Sequence, residues 1–143
     1  MDSSHVLETF LGRLPRAAQG VHGLHHLVAE GLPAAVIGRM ERAIDLSAAE
    51  SARVFGLSAT TRKRYRSTPK RRLDPVASDR VVRVASAVAD AVSVFGDEAK
   101  AIAWFKARSP ALGDERPVDL VSSDPGARLV RDELLRIRYG HWA

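Results

Sequence analysis

The sequence contains no cysteine. Disulfides and thiolate chemistry are thereby excluded, and a reducing cytoplasm is the simplest compartment for the chain. Long apolar runs are missing too. No stretch approaches the ~20 residues that span a bilayer, so no membrane partner is expected. The first ten residues carry Asp2, His5 and Glu8, which breaks the charged-then-apolar order of a secretory signal. Catalytic motifs are equally scarce. There is no Gly-rich phosphate loop, no His-Glu-x-x-His, no Gly-x-Ser-x-Gly elbow and no carboxylate pair set for acid–base work. Gly113-Asp-Glu-Arg116 is a polar turn without partners. His22, His25 and His26 lie close together, but no carboxylate or fourth ligand stands at a recognisable spacing from them. These gaps point to a binding protein and not an enzyme, with no cofactor and no metal. No segment alternates polar and apolar residues as a strand does, so the fold class is expected to be all-α, with about seven helices.

What is present is apolar residues, at 45 % of 143, and positive charge, with 22 Lys and Arg against 17 Asp and Glu. The apolar share suffices for one domain or two very small ones. The net charge of +5 suits a polyanion or an acidic protein. Residues 1–30 say least. His5–Leu11 can form a helical turn or two before Leu14-Pro15 interrupts it, and the stretch is expected to be a flexible or loosely docked arm.

From residue 31 the pattern sharpens. Leu32, Val36, Ile37, Met40 and Ile44 keep a helical period, which predicts a helix over 33–45. Ser47-Ala-Ala-Glu50 matches a capping box, in which each side chain satisfies an amide of the first turn. Gly56-Leu57-Ser58 then breaks that helix and caps another. Two short helices joined by a tight Gly turn are the pattern of a helix-turn-helix, here placed at 31–68. The second helix, from Ala59 to Arg66, would be the recognition helix. Seven basic and no acidic residues lie between Arg62 and Arg72. Ser58, Thr60, Thr61, Arg62, Lys63, Arg64 and Arg66 are the candidate DNA contacts, hydroxyls and cations serving base edges and phosphates.

Pro69 marks the boundary to a second part, 69–143. Asp74-Pro75 is a cap followed by a residue suited to a first turn, and Val81, Val84 or Ala85, Val88, Val92 and Phe95 form one stripe. Gly96 ends this longest helix and Asp97 caps the next, where Ala101, Ile102, Trp104 and Phe105 are candidate core. Ser109–Gly113 reads as a turn, and Arg116–Val121 as one or two helical turns. The terminal helix starts at an expected N-cap, Asp124, with Pro125 behind it. Ala127, Val130, Leu134 and Ile137 share a face, Asp132 and Arg136 another, and Gly140 suits a left-handed cap. The sequence then runs His141-Trp142-Ala143. An aromatic placed there is either folded onto the core or presented to a partner.

Taken in order, several of these pieces resemble one known family. Arg80-Val-Val-Arg-Val-Ala85, Val94-Phe-Gly-Asp97, Ala101-Ile-Ala-Trp-Phe105, Ser109-Pro-Ala-Leu-Gly113, Arg116-Pro-Val-Asp-Leu120 and Gly126…Val130…Leu134…Arg138-Tyr-Gly140 resemble the C-terminal toxin-binding domain of the Xre/MbcA/ParS antitoxins, partners of RES-domain toxins. Residues 33–66 resemble the helix-turn-helix that precedes this domain in the family. The resemblance implies a RES toxin that consumes NAD as partner, inhibited by direct binding. It implies that Arg116, Leu120, Arg136, Arg138, Tyr139, Gly140, His141 and Trp142 form the toxin-facing set, near the toxin's NAD pocket. It also implies a homodimer that represses its own operon by binding operator DNA. The alternative is a stand-alone helix-turn-helix repressor whose C-terminal part only dimerises. One position departs from the family. Its recognition helices generally carry an aliphatic residue after the threonine at Thr61, and here that residue is Arg62. An arginine cannot fill a core position without cost, so either Tyr65 does the packing or the motif is degenerate.

Overall fold

The computed structural model describes residues 7–8, 10–12 and 20–140. Among them are eight α-helices, one more than expected, and no strand: α1 (Gly20–Glu30), α2 (Ala35–Ala43), α3 (Ala48–Phe55), α4 (Ala59–Ser67), α5 (Pro75–Phe95), α6 (Glu98–Lys106), α7 (Pro117–Leu120) and α8 (Asp124–Tyr139). A 3-10 turn covers Pro110–Leu112.

Local chemistry explains most of the boundaries. Ser47 and Glu50 form the reciprocal capping box: Glu50 N donates to Ser47 Oγ at 3.1 Å, and Ser47 N donates to Glu50 Oε1 at 3.2 Å. Gly56 ends α3 with φ 65°, and Ser58 caps α4 by accepting from Thr61 N. Asp74 Oδ1 accepts from Ala77 N at 2.8 Å to start α5, and Gly96 closes that helix with φ 68°. Asp97 accepts from the amides of Ala99 and Lys100 to start α6.

The core gathers around α5. Val81, Val84, Ala85, Val88 and Val92 are all buried along it, and it packs against α1, α2, α3, α6 and α8. Its buried alanines, Ala85, Ala89 and Ala91, let neighbouring backbones approach closely. Leu32, Val36, Ile37, Met40 and Ile44 are buried as their period predicts. Phe105 is fully buried in α6, whereas Trp104 is only half-buried and stacks at a tilt on Phe95, ring centroids 5.7 Å apart.

Residues expected as a loose arm contribute to this core. Phe10 and Leu11 are buried, and α1 packs on α5 through Leu24, Leu27 and Val28. The buried Ser78 Oγ of α5 accepts from Leu32 N at 3.0 Å, which pins the segment after α1. No group of three or more His, Cys, Asp or Glu suited to a metal exists among the described residues. No helix there is long and apolar enough to cross a membrane.

Three details of the terminal helix differ from expectation. Its cap is Ser123, whose Oγ accepts from Gly126 N at 3.1 Å; Asp124 is the first helical residue. Both residue types cap well, and the chain uses the earlier one. Val130 and Leu134 are buried as expected, but Ile137 is 38 % exposed, because every residue from Leu135 to Gly140 is exposed. Arg136 pairs with Glu133 and not with Asp132, its Nε and Nη2 donating to the two carboxylate oxygens at 2.8 and 2.9 Å.

Candidate nucleic-acid and partner surfaces

Helix α4 buries one residue, Tyr65, at 6 % exposure. That fixes which way the rest of the helix faces. Thr60, Lys63, Arg64 and Arg66 are exposed, while Thr61 and Arg62 are half-buried. The seven candidate DNA residues therefore divide. Ser58 and Thr61 hold each other: Thr61 N donates to Ser58 Oγ, which donates to Thr61 Oγ1 at 2.9 Å. Arg62 turns inward onto α2, where its Nε donates to Glu41 Oε1 at 3.1 Å and its Nη2 to Oε2. The Glu41 carboxylate, by these hydrogen bonds, holds the Arg62 guanidinium above its ordinary pKa. Thr60, Lys63, Arg64 and Arg66 remain available to a ligand, on a helix followed by the exposed Lys70 and Arg71. Arg72 is committed, donating to Gly31 O at 2.7 Å. The arginine at the aliphatic position is thus accommodated by two devices at once, the packing of Tyr65 and a counter-charge on the neighbouring helix.

The second set lies in the other half and also divides. Arg116 is half-buried and fully engaged. It donates to Asp119 through Nε at 2.9 Å and Nη2 at 3.2 Å, and to Glu50 Oε2 through Nη1 at 3.2 Å. Arg53 of α3 reaches the same Asp119 at 3.4 Å, and Lys106 of α6 lies 4.0 Å from Glu50. This network ties the first helix of the helix-turn-helix to α6 and α7. Burial works to raise the Asp119 carboxyl, but Arg116 and Arg53 outweigh it and leave it below the usual range. Glu50 is lowered chiefly by the Ser47 backbone amide, with Lys106 and Arg116 adding to it. Leu120 packs against the core, its carbonyl covered by Gly126. Arg116 and Leu120 are thus both only partly exposed.

The end of α8 is different. Leu135, Ile137 and Tyr139 are 43, 38 and 65 % exposed, a group of large apolar side chains on the last two turns. Arg138 Nη2 donates to Ser93 Oγ of α5 at 3.2 Å, and Gly140 closes the helix with φ 60°. Beside them, α5 and α8 form a cleft of about 150 Å³ that holds Asp90, Arg131 and Arg138. Burial raises the Asp90 carboxyl above its ordinary value against the pull of Arg131 and Arg138. His141 and Trp142, the remaining candidates, lie outside the described residues. Glu41 and Asp90 were not singled out from the sequence, and Glu50 only as half of a capping box. For Glu41 a signal existed: an arginine at a core position demands a carboxylate nearby, and Glu41 stands on the helix that packs against α4.

Comparisons with known proteins follow the same division. The model of the antitoxin Xre-like helix-turn-helix domain matches residues 23–86. The model of the antitoxin Xre/MbcA/ParS C-terminal toxin-binding domain matches residues 90–140. The protein named antitoxin Xre from Yersinia enterocolitica serotype O:8 / biotype 1B is 33 % identical over 93 residues, which cover 64 % of this chain and 62 % of that protein. The match thus spans less than two thirds of that relative's length. With both domain models matched in order, around a core in which α5 is shared between the two, the chain belongs to the Xre/MbcA/ParS antitoxin family.

Proposed function

We propose that this chain is the antitoxin of a type II toxin–antitoxin pair. Its C-terminal half, 69–143, binds a RES-domain toxin and blocks that enzyme's NAD site; its helix-turn-helix, 31–68, binds operator DNA and represses the operon. The protein works in the cytoplasm as a homodimer within a larger complex and catalyses nothing itself. The observation that carries the reading is the exposed apolar and cationic end of α8, Leu135, Ile137, Arg138 and Tyr139, inside the segment that matches a toxin-binding domain. A helix that leaves three large apolar side chains outward on its last two turns is suited to covering by a partner. Arg116 and Leu120 act from behind, keeping α7 and α8 in place.

The test is inhibition of the toxin. A RES-domain toxin from the same host should consume NAD alone and be silenced by the full chain. A chain lacking residues 138–143 should still fold and dimerise but lose the inhibition. Silencing by both forms would move the inhibitory surface to the body of the C-terminal half. The second reading, a stand-alone repressor, draws on the exposed basic side of α4. It predicts tight operator binding that Arg64→Ala weakens, and no toxin companion.

A further inference from the structure

Between α2 and α4 lies an open cleft of about 270 Å³. Ile37 and Pro69 give it an apolar wall, and Tyr65, Arg42, Arg62 and Arg66 complete it. The three arginines are not equivalent. Arg62 is spent on Glu41. Arg42 and Arg66 are exposed and make no hydrogen bond or ion pair among the described residues, so two positive charges at the cleft lack a counter-charge there. The Arg42 guanidinium is held close over the cleft's Gly38: a Cβ at that glycine would lie 3.3 Å from Arg42 Nη1.

Tyr65 supplies an independent pointer. It is only 6 % exposed, and its hydroxyl makes no hydrogen bond among the described residues. Ser51 Oγ is the one fully buried side-chain polar atom without a partner among the described residues, so the Tyr65 hydroxyl must touch solvent. Tyr65 lines this cleft. A hydroxyl donor that reaches solvent, in a cleft also lined by two guanidinium groups without ion pairs, matches an oxyanion with several acceptor oxygens.

We propose that this cleft binds a phosphate group, and that its occupant is a backbone phosphate of the DNA faced by Thr60 and Lys63 of α4. The inference rests on the DNA-binding reading above and extends it to Arg42 and Tyr65, which lie outside the set expected from the sequence. Arg66 stands one turn after Arg62 on the flank of α4, where a helix lying in a groove meets the sugar–phosphate strand. Arg42 reaches the same place from α2 and so fixes how α4 is oriented on the duplex.

Phosphate contacts carry no sequence information, so a DNA duplex of arbitrary sequence is a sufficient probe for the full chain. Its affinity is measured against salt for the wild type, Arg42→Ala, Tyr65→Phe and Lys100→Ala. Arg42→Ala should reduce the steepness of log K against log salt by about 0.9, the loss of one phosphate contact. Tyr65→Phe should weaken binding severalfold with the slope kept, since no charge is lost. Lys100→Ala, the same charge change on exposed α6, should alter neither. An Arg42→Ala slope equal to the wild type's would overturn the proposal. A second arm titrates inorganic phosphate and follows the Gly38 amide resonance in wild type and Arg42→Ala. If the wild type binds no duplex but phosphate still shifts Gly38 in an Arg42-dependent way, the DNA occupant is refuted and the cleft is a site for a free anion. If neither probe binds, both are refuted.

Discussion

Arg62 sits where α4 turns towards its neighbours, and Glu41 makes that position tenable. The two side chains are 15 and 12 % exposed, so each has left most of its water and depends on the other. Glu41→Ala strands a half-buried guanidinium and should cost about 1–2 kcal/mol in chemical denaturation. Replacing both, Glu41→Gln with Arg62→Met, removes the desolvated charges together and should fall within about 1 kcal/mol of the wild type. A single Glu41→Ala variant as stable as the wild type would show that the pair contributes nothing. The sequence exposes the anomaly at Arg62, because recognition helices of the family generally carry an aliphatic residue there. The need for a carboxylate follows from that anomaly, but which carboxylate answers it comes from the fold, since Glu41 stands twenty-one residues away on another helix. The same limit applies to Arg116. Its family motif is readable, but its anchor on Glu50, sixty-six residues distant, comes only from the folded chain.

Helix boundaries were the most legible feature, since they depend on chemistry within three residues. Ser47 with Glu50, Ser58, Asp74 with Pro75, Asp97, Gly56, Gly96 and Gly140 all stand where their types require. Where two capping residues adjoin, local chemistry does not choose between them, and α8 starts from Ser123 and not from Asp124. Ser123→Ala should therefore cost about 1 kcal/mol, and Asp124→Ala only a few tenths through the helix dipole and its exposed pair with Arg128. The reverse order would restore the cap to Asp124. At Gly126 a Cβ would overlap the Leu120 carbonyl, so Gly126→Ala should destabilise by about 2–3 kcal/mol despite a better helix propensity. Helix α1 was not legible. Its run from Gly20 through His22, Gly23, His25 and His26 lacks a cap and a strong stripe, and packing on α5 decides its conformation. Ile137 kept the apolar period of α8, but period alone does not tell whether another element covers the last turn.

Across the whole molecule, Glu50, Arg53, Lys106, Arg116 and Asp119 join the two halves by charge, and their carboxylates set an acid response. Glu50 and Asp119 have folded pKa values below their ordinary 4.5 and 3.8. Their contribution is present above those values and is lost as pH falls through the lowered ones. The stability difference between wild type and Arg116→Met should therefore be largest near neutral pH and shrink below about pH 4. A difference independent of pH would mean that Arg116 acts through packing alone. Asp90 has the opposite sign. Its carboxyl is raised by burial, so ionising it costs stability above its folded pKa and nothing below its ordinary 3.8. Asp90→Asn should accordingly raise the melting temperature at pH 7 and leave it unchanged at pH 3.

The all-α architecture and the order of the two halves follow from periodicity and resemblance. How the halves are joined follows from contacts that only the fold brings together. The exposed end of α8 is the surface proposed to meet the toxin, and the most direct test of that proposal is a titration. NAD consumption by a RES-domain toxin from the same host is measured against increasing full-length chain and against Tyr139→Ala. Stoichiometric inhibition by the full chain, with at least tenfold weaker inhibition by the variant at an unchanged melting temperature, is the predicted result. A toxin that keeps consuming NAD at saturating amounts of the correctly folded full chain would contradict the account.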